Sequence, residues 1–380
     1  MIINKKMHNN FYGLKIIVAG GITGGHLFPG IAVAQEFIAK DPENKILFVS
    51  TGNEFERAIM LQTGFKLKTI SVKGIKRRGI LNQFISIFTL PKAFIESLIH
   101  LISFNPDLVI SVGSYSAGPV SMSARLVGKK LVLLEQNILP GITTKILYHF
   151  AKRIFLSFDN NKGGLDLKKI RFSGNPVRKE MFYEEKNKND LAVKNLTDEI
   201  KFCVFVVGGS QGAHAINLAV MDSLAYLKEK DRYFFIHQTG AQDEAMIKSA
   251  YEKHNIKSEV RAFFNDMGNQ YKKADIVICR SGATTVAELT ALGKPAVFIP
   301  FPYAADNHQV MNARYVADAK AAEIILEKDL TGKILAEKIE SYFSEPGKLD
   351  ILSKNAKRLG RPDAAKFIVK ECYKLLGKEN

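Results

Sequence analysis

Phe202-Cys203-Val204-Phe205-Val206-Val207 is an unbroken apolar run, and Gly208-Gly209-Ser210-Gln211-Gly212 follows it directly. A run without polar alternation reads as a strand covered on both faces, as in parallel sheets. Behind the glycines, apolar periodicity predicts a helix through Ile216–Leu227. Strand, glycine loop and helix in that order predict a doubly wound α/β domain. The same order recurs near the start of the chain. There Leu14–Ala19 is followed by Gly20-Gly21-Ile22-Thr23-Gly24-Gly25-His26, and then by a helix over Gly30–Ala39.

Working outward, further candidate strands in the first half are Ile46–Ser50, Leu67–Val72, Leu108–Val112, Leu131–Leu134 and Arg153–Leu156. The second half adds Tyr233–His237, Val260–Phe263, Ile276–Cys279, Ala296–Ile299 and Glu323–Leu326. Amphipathic stretches separate them, so two parallel-sheet, Rossmann-like domains are expected. At 380 residues the chain has the length for two. The boundary is placed near Gly174-Asn175-Pro176, giving domains over 12–174 and 175–354. Lys179–Thr197 is crowded with charge and reads as exposed. A final helical segment in 355–380 is expected to pack back on the first domain.

Charge narrows the partners. Lys and Arg number 54 against 38 Asp and Glu, a net charge of +16, so the molecule attracts something anionic. No basic stripe interleaved with aromatics accompanies that charge, which argues against nucleic acid. Cys203, Cys279 and Cys372 form no CxxC pair, and neither a disulfide framework nor a zinc site is expected. The opening MIINKKMHNNFYG lacks a long apolar core, so a reduced, cytosolic compartment is expected. The most apolar stretch, Gly79–Phe104, is broken by Pro91, Lys92, Glu96 and His100, and is not expected to span a membrane.

In an open α/β sheet, ligands bind beyond the carboxyl ends of the strands, where loops meet helix N-termini. Glycine lets backbone N–H groups approach an anion, and the helix dipole adds positive potential. Both glycine loops therefore read as phosphate sites or, more plainly, as tight strand-to-helix turns. Neither is GxGxxG nor GxxxxGK[ST]. A third loop, Gly113-Ser114-Tyr115-Ser116-Ala117-Gly118-Pro119, follows Leu108–Val112. After Ile276–Cys279 comes Arg280-Ser281-Gly282-Ala283-Thr284-Thr285-Val286-Ala287-Glu288. Its carboxylate either accepts hydrogen bonds from ribose hydroxyls or caps the helix. Pro300–Gln309 is a polar loop suited to sugar hydroxyls.

These residues resemble the MurG family of GT-B glycosyltransferases. The resemblance rests on TGGHLFPG at Thr23–Gly30, EQN at Glu135–Asn137, GNPVR at Gly174–Arg178 and GGSQGA at Gly208–Ala213. It continues through RSGATTVAEL at Arg280–Leu289 and PYAADNHQ at Pro302–Gln309. It implies two domains facing a cleft and a transfer, with inversion, of N-acetylglucosamine from UDP-N-acetylglucosamine. The acceptor it implies is lipid I, the product lipid II, and no metal or other cofactor is expected; no Asp-x-Asp motif occurs.

Carried over by position, the resemblance puts Thr23, Gly24 and Gly25 on the donor-sugar side and Asn137 on the N-acetylglucosamine. Arg178 and Ser210 contact the diphosphate or uridine, and the Phe264 backbone reads uracil. Ala283, Thr284, Thr285, Val286, Ala287 and Glu288 hold phosphate and ribose, and Gln309 the sugar hydroxyls. His26 is the candidate general base, since histidine titrates in the right range, or else a phosphate ligand; Tyr115 and Glu135 line the acceptor pocket. Ile22 and Ser114 depart from glycines common in the family. A related GT-B enzyme, such as a diacylglycerol galactosyltransferase or a UDP-N-acetylglucosamine epimerase, is the alternative. Lys73-Gly74-Ile75-Lys76-Arg77-Arg78, followed by Ile80, Leu81, Phe84, Ile85, Ile87 and Phe88, reads as a patch for an anionic membrane surface. Phe84 or Ile87 is expected to be partly exposed there, with the protein peripheral on the cytoplasmic face of the cell membrane.

Overall fold

A computed structural model describes residues 13–72, 80–159, 166–183 and 201–378, and of 80–89 the helical backbone alone. The first sheet consists of β1 (Lys15–Ala19), β2 (Lys45–Ser50), β3 (Lys66–Thr69), β4 (Leu108–Ser111), β5 (Lys130–Glu135), β6 (Arg153–Leu156) and β7 (Ile170–Phe172). Its order is β3-β2-β1-β4-β5-β6-β7, with all neighbours parallel. The second consists of β8 (Phe202–Val207), β9 (Tyr233–Gln238), β10 (Lys257–Arg261), β11 (Ile276–Cys279), β12 (Ala296–Phe298) and β13 (Glu323–Ile324). These run β10-β9-β8-β11-β12-β13, again all parallel. Strand order reverses at β1 and at β8, so each sheet has its switch point beside a glycine loop.

Apolar runs become strands because both faces of each sheet are covered. Ile16 and Val18 of β1 pack into one core and Ile17 and Ala19 into another. Likewise Val204 and Val206 of β8 face one cluster, and Cys203, Phe205 and Val207 the other. All three cysteines are buried free thiols. Burial pushes the Cys203 thiol up to about 12, as expected of a core residue.

The helices of the first domain are α1 (Gly24–Lys40), α2 (Glu54–Thr63), α3 (Ile80–Phe104), α4 (Ala117–Leu126) and α5 (Ile142–Leu147). Those that follow are α6 (His214–Ser223), α7 (Glu244–Lys253), α8 (Met267–Lys273), α9 (Ala283–Leu292), α10 (His308–Asp318), α11 (Gly332–Ser344), α12 (Pro346–Leu359) and α13 (Ala364–Leu376). Ala365, Ile368, Val369, Cys372 and Tyr373 of α13 join the first-domain core beside Phe37. Tyr373 stacks on Phe37 and receives a hydrogen bond from Asn44 Nδ2 at 3.0 Å.

Local expectations change at two helical segments. The first helix begins at Gly24, not Gly30, so half of the supposed loop is helix and His26 lies in its first turn. Lys179–Met181 is a 3₁₀ turn with Met181 buried, not an exposed stretch; 184–197 lie outside the described residues. Helix α3 runs through Pro91. The basic cluster at Lys73–Arg78 lies outside the described residues, as do the side chains of Phe84 and Ile87. Among the described residues, no helix is long and apolar enough to cross a membrane.

Candidate active site

Two helix N-termini meet across the cleft, and neither is capped. Thr23 before α1 and Gly282 before α9 make no side-chain cap bond, and neither first turn holds an acidic residue. The first N–H groups of both helices thus make no bond to their N-cap side chains, which together with the dipoles favours an anion. Pro29, inside α1, has no N–H to give the Gly25 carbonyl. Thr284 Oγ1 of the second domain donates to that carbonyl at 3.2 Å.

His26 projects from the first turn of α1. Its Nδ1 lies 2.9 Å from both Val112 O and Gln136 Oε1. The Gln136 amide is oriented by its own Nε2, which donates to Leu134 O at 3.3 Å. Both neighbours of Nδ1 are acceptors, so Nδ1 carries the proton and Nε2 is the basic atom of the neutral ring. This assignment comes from the hydrogen-bond network. The loops around it are strained: Ile22 has φ 20° and Ser114 φ 67°, where a side chain costs about 1–3 kcal/mol. Asn53 Nδ2 holds the Ile22 carbonyl at 3.0 Å, and Thr143 Oγ1 holds that of Ser114 at 3.3 Å.

The acceptor-side residues separate. Tyr115 is 41% exposed at the third loop. Glu135 is 4% exposed, and its two oxygens accept from Asn137 N at 3.1 Å and Gly141 N at 3.0 Å. It anchors its own loop and offers the cleft no carboxylate edge. That loop carries Asn137, whose Oδ1 accepts from Asn312 Nδ2 at 3.3 Å. Asn312 is fully buried, also accepts from Ile138 N at 3.2 Å, and donates to Ser281 O at 3.3 Å. It ties the two domains together and carries no motif signal.

In the second domain, Glu288 lies well inside α9 behind an uncapped Gly282, which removes the capping alternative. It is 5% exposed, accepts from Tyr271 Oη at 3.3 Å, and lies 3.9 Å from Arg178 Nη2. Burial raises its pKa above the usual carboxylate value, against the pull of Arg178 and Tyr271. Ser210 is exposed at the tip of the second glycine loop. Gln238 links that loop to Phe264: its Nε2 donates to Gly209 O at 2.9 Å, and its Oε1 accepts from Phe264 N at 2.9 Å. The Phe264 N–H is thereby taken. Gln309 Oε1 accepts from Phe301 N at 3.0 Å, and its carbonyl accepts from Ser281 Oγ at 2.8 Å. Among the described residues, no cluster of three His, Cys, Asp or Glu side chains is placed to hold a metal.

Residues 16–156 match the glycosyltransferase family 28 N-terminal domain, and 203–368 its C-terminal domain. A UDP-N-acetylglucosamine–N-acetylmuramyl-(pentapeptide) pyrophosphoryl-undecaprenol N-acetylglucosamine transferase from Syntrophus aciditrophicus (strain SB) is 43% identical over 364 residues, 96% of this chain and 99% of that protein. The chain belongs to the MurG family. A transferase of the same name from Myxococcus xanthus (strain DK1622) is 40% identical, over 96% of this chain and 93% of its own. The crystal structure of Acinetobacter baumannii MurG superposes with a TM-score of 0.74 at 26% identity, covering 95% of this chain and 99% of that one. The GT-B fold is wider than MurG: a UDP-GlcNAc 2-epimerase from Neisseria meningitidis shares it, with a TM-score of 0.69 at 14% identity over 95% of this chain and all of its own.

Proposed function

We propose that this chain transfers N-acetylglucosamine from UDP-N-acetylglucosamine to the C4 hydroxyl of N-acetylmuramic acid in lipid I, forming lipid II with inversion at the anomeric carbon. The observation that carries the mechanism is the pair of uncapped helix N-termini facing each other, with the Nδ1 of His26, in the first turn of one of them, held by Val112 and Gln136 so that Nε2 is the basic atom. Residues 175–354 take the donor, residues 12–174 the acceptor, and the helix within 355–380 straps the second domain to the first.

In the donor half, Glu288 accepts from the ribose hydroxyls and the backbone of Ala283, Thr284, Thr285, Val286 and Ala287 faces phosphate. Ser210 and Arg178 meet the diphosphate, and Phe264, its N–H held by Gln238, reads uracil through its backbone carbonyl. Gln309 and Asn137 bind the sugar, with Thr23, Gly24 and Gly25 closing the opposite wall. Tyr115 borders the acceptor, and Glu135 shapes its loop. His26 Nε2 takes the C4 hydroxyl proton as the oxygen attacks the anomeric carbon. The bond from that carbon to the diphosphate breaks, and UDP leaves with the electron pair. The helix termini and Arg178 stabilise the charge that develops on it, so the step needs no metal.

The site of action is the cytoplasmic face of the cell membrane, with the protein held peripherally and without nucleic acid. Support comes from the charge of +16 and the basic-apolar stretch Lys73–Phe88. Farther along α3, Ile95, Ile99 and Ile102 share one exposed face. UDP release measured with and without a lipid I analogue, in EDTA, tests the reading. Release that depends on the acceptor is expected; acceptor-independent conversion of the UDP-sugar overturns it in favour of epimerase chemistry.

A further inference from the structure

We infer that Phe28 is a positioning residue: its ring fixes the Arg178 guanidinium, and through it the nucleotide-binding carboxylate Glu288 in the opposite domain. The Arg178 guanidinium carbon lies 3.8 Å from the centroid of the Phe28 ring, within cation–π range. Its Nη2 reaches Glu288 Oε1 at 3.9 Å, and its buried Nε has no hydrogen-bond acceptor among the described residues. Among the described residues, this carboxylate and the ring are the contacts that hold the guanidinium in place.

The ring is itself held. Phe55 of α2 meets it edge-on, with centroids 6.1 Å apart and planes at 76°. Gly24 makes room beneath, since a Cβ there would stand 2.9 Å from Phe28 Cε2. The same side of α1 continues the contact with the linker. Lys179 Nζ pairs with Glu36 Oε2 at 2.9 Å, and Gln35 Nε2 donates to Glu180 Oε1 at 2.6 Å. One helix of the acceptor domain thus presses on the segment Arg178–Glu180 and sets the cation that the donor site uses. Domain approach and nucleotide recognition are coupled through one guanidinium.

The groups facing Glu288 are Arg178, the Tyr271 hydroxyl and the Cys279 thiol, whose burial keeps it neutral. Ribose binding uses the ionised carboxylate, so UDP binding falls as pH drops through its pKa. Arg178 lowers that pKa; displacing Arg178 therefore moves the acid limb of UDP binding to higher pH.

This rests on the reading of Glu288 as the ribose ligand, and the experiment separates the two. UDP affinity is measured by calorimetry across pH for the full-length wild type, Phe28→Leu, Phe28→Tyr, Arg178→Ala, Phe28→Leu with Arg178→Ala, and Glu288→Gln. Phe28→Leu is expected to raise the UDP Kd by about twofold to thirtyfold, the span of a cation–π contact, and to shift the acid limb upward. Phe28→Tyr, which keeps the ring, restores both. In the Arg178→Ala background, Phe28→Leu adds nothing. Additive losses, or a Phe28→Leu protein with wild-type affinity and acid limb, overturn the inference. If Glu288→Gln alone leaves UDP binding intact, the ribose assignment fails, while the double-mutant cycle still reports on Phe28 and Arg178.

Discussion

The two glycine loops occupy the same place in their sheets, yet they lean in opposite directions. The loop after β1 leans across its switch point: a Cβ on Gly20 (φ 99°) would lie 2.2 Å from Gly113 O, in the loop after β4. The loop after β8 leans the other way: a Cβ on Gly212 (φ 77°) would lie 1.9 Å from Thr239 O, in the loop after β9. Asn217 Nδ2 secures that second contact by donating to Thr239 O at 2.9 Å. In the first domain the crevice between the central strands is therefore closed, and His26 is locked into it through Val112. In the second the loop turns toward β9 instead, and Gly209, Ser210 and Gln211 are exposed. One topology thus yields a loop tied across its switch point in the first domain and a loop left exposed in the second.

Substitutions on either side should break this contrast differently. His26→Ala is expected to lower kcat by about 10²–10⁴-fold with UDP affinity unchanged, measured by steady-state kinetics beside calorimetry. Lost donor binding with kcat retained at saturation would move His26 to the binding set. Glu288→Ala should do the reverse, raising the UDP Kd about tenfold or more while circular dichroism shows an intact fold. Asn312→Ala severs the tie between the halves, stranding Ile138 N–H and Ser281 O. It should cost about 1–3 kcal/mol in urea unfolding.

The smallest effect concerns the support of the second loop. Burial opposes the charge on Asp243, but bonds from Asn217 at 2.7 Å and His214 at 3.0 Å outweigh it and lower the pKa. A depressed carboxylate contributes stability above its unfolded pKa, and that contribution is lost as pH falls through the folded value. Melting temperature measured from neutral to acid pH should therefore fall less steeply in Asp243→Asn than in the wild type.

Much of the fold was legible because Val, Ile and Phe runs have no other use in a chain this charged. Phe202–Val207, Arg153–Leu156 and Ile276–Cys279 stand where their composition placed them. Misreadings cluster at sheet edges, where burial is partial. The strand Lys257–Arg261 is polar and was displaced to Val260–Phe263, and Ile170–Phe172 is too short to register. The early start of α1 was hidden by Gly24, Gly25 and Pro29, residues with poor helix propensity that tertiary contacts override. In the candidate site the motifs were visible, Phe28 among them, while the contacts made by Phe28, Gln238 and Asn312 were not. Each acts through a partner distant in sequence, and no local pattern marks such a contact. Ile22 and Ser114 stood out as departures from glycine, and both adopt positive φ held by neighbouring side chains.

The proposed transfer joins two substrates held by different domains. Labelled UDP-N-acetylglucosamine incubated with a lipid I analogue tests it directly, with the product's anomeric configuration read by NMR. A β-linked disaccharide on the lipid, formed in step with UDP, is the predicted result. Label appearing as free sugar, as another UDP-sugar or as an α-linked product would contradict it.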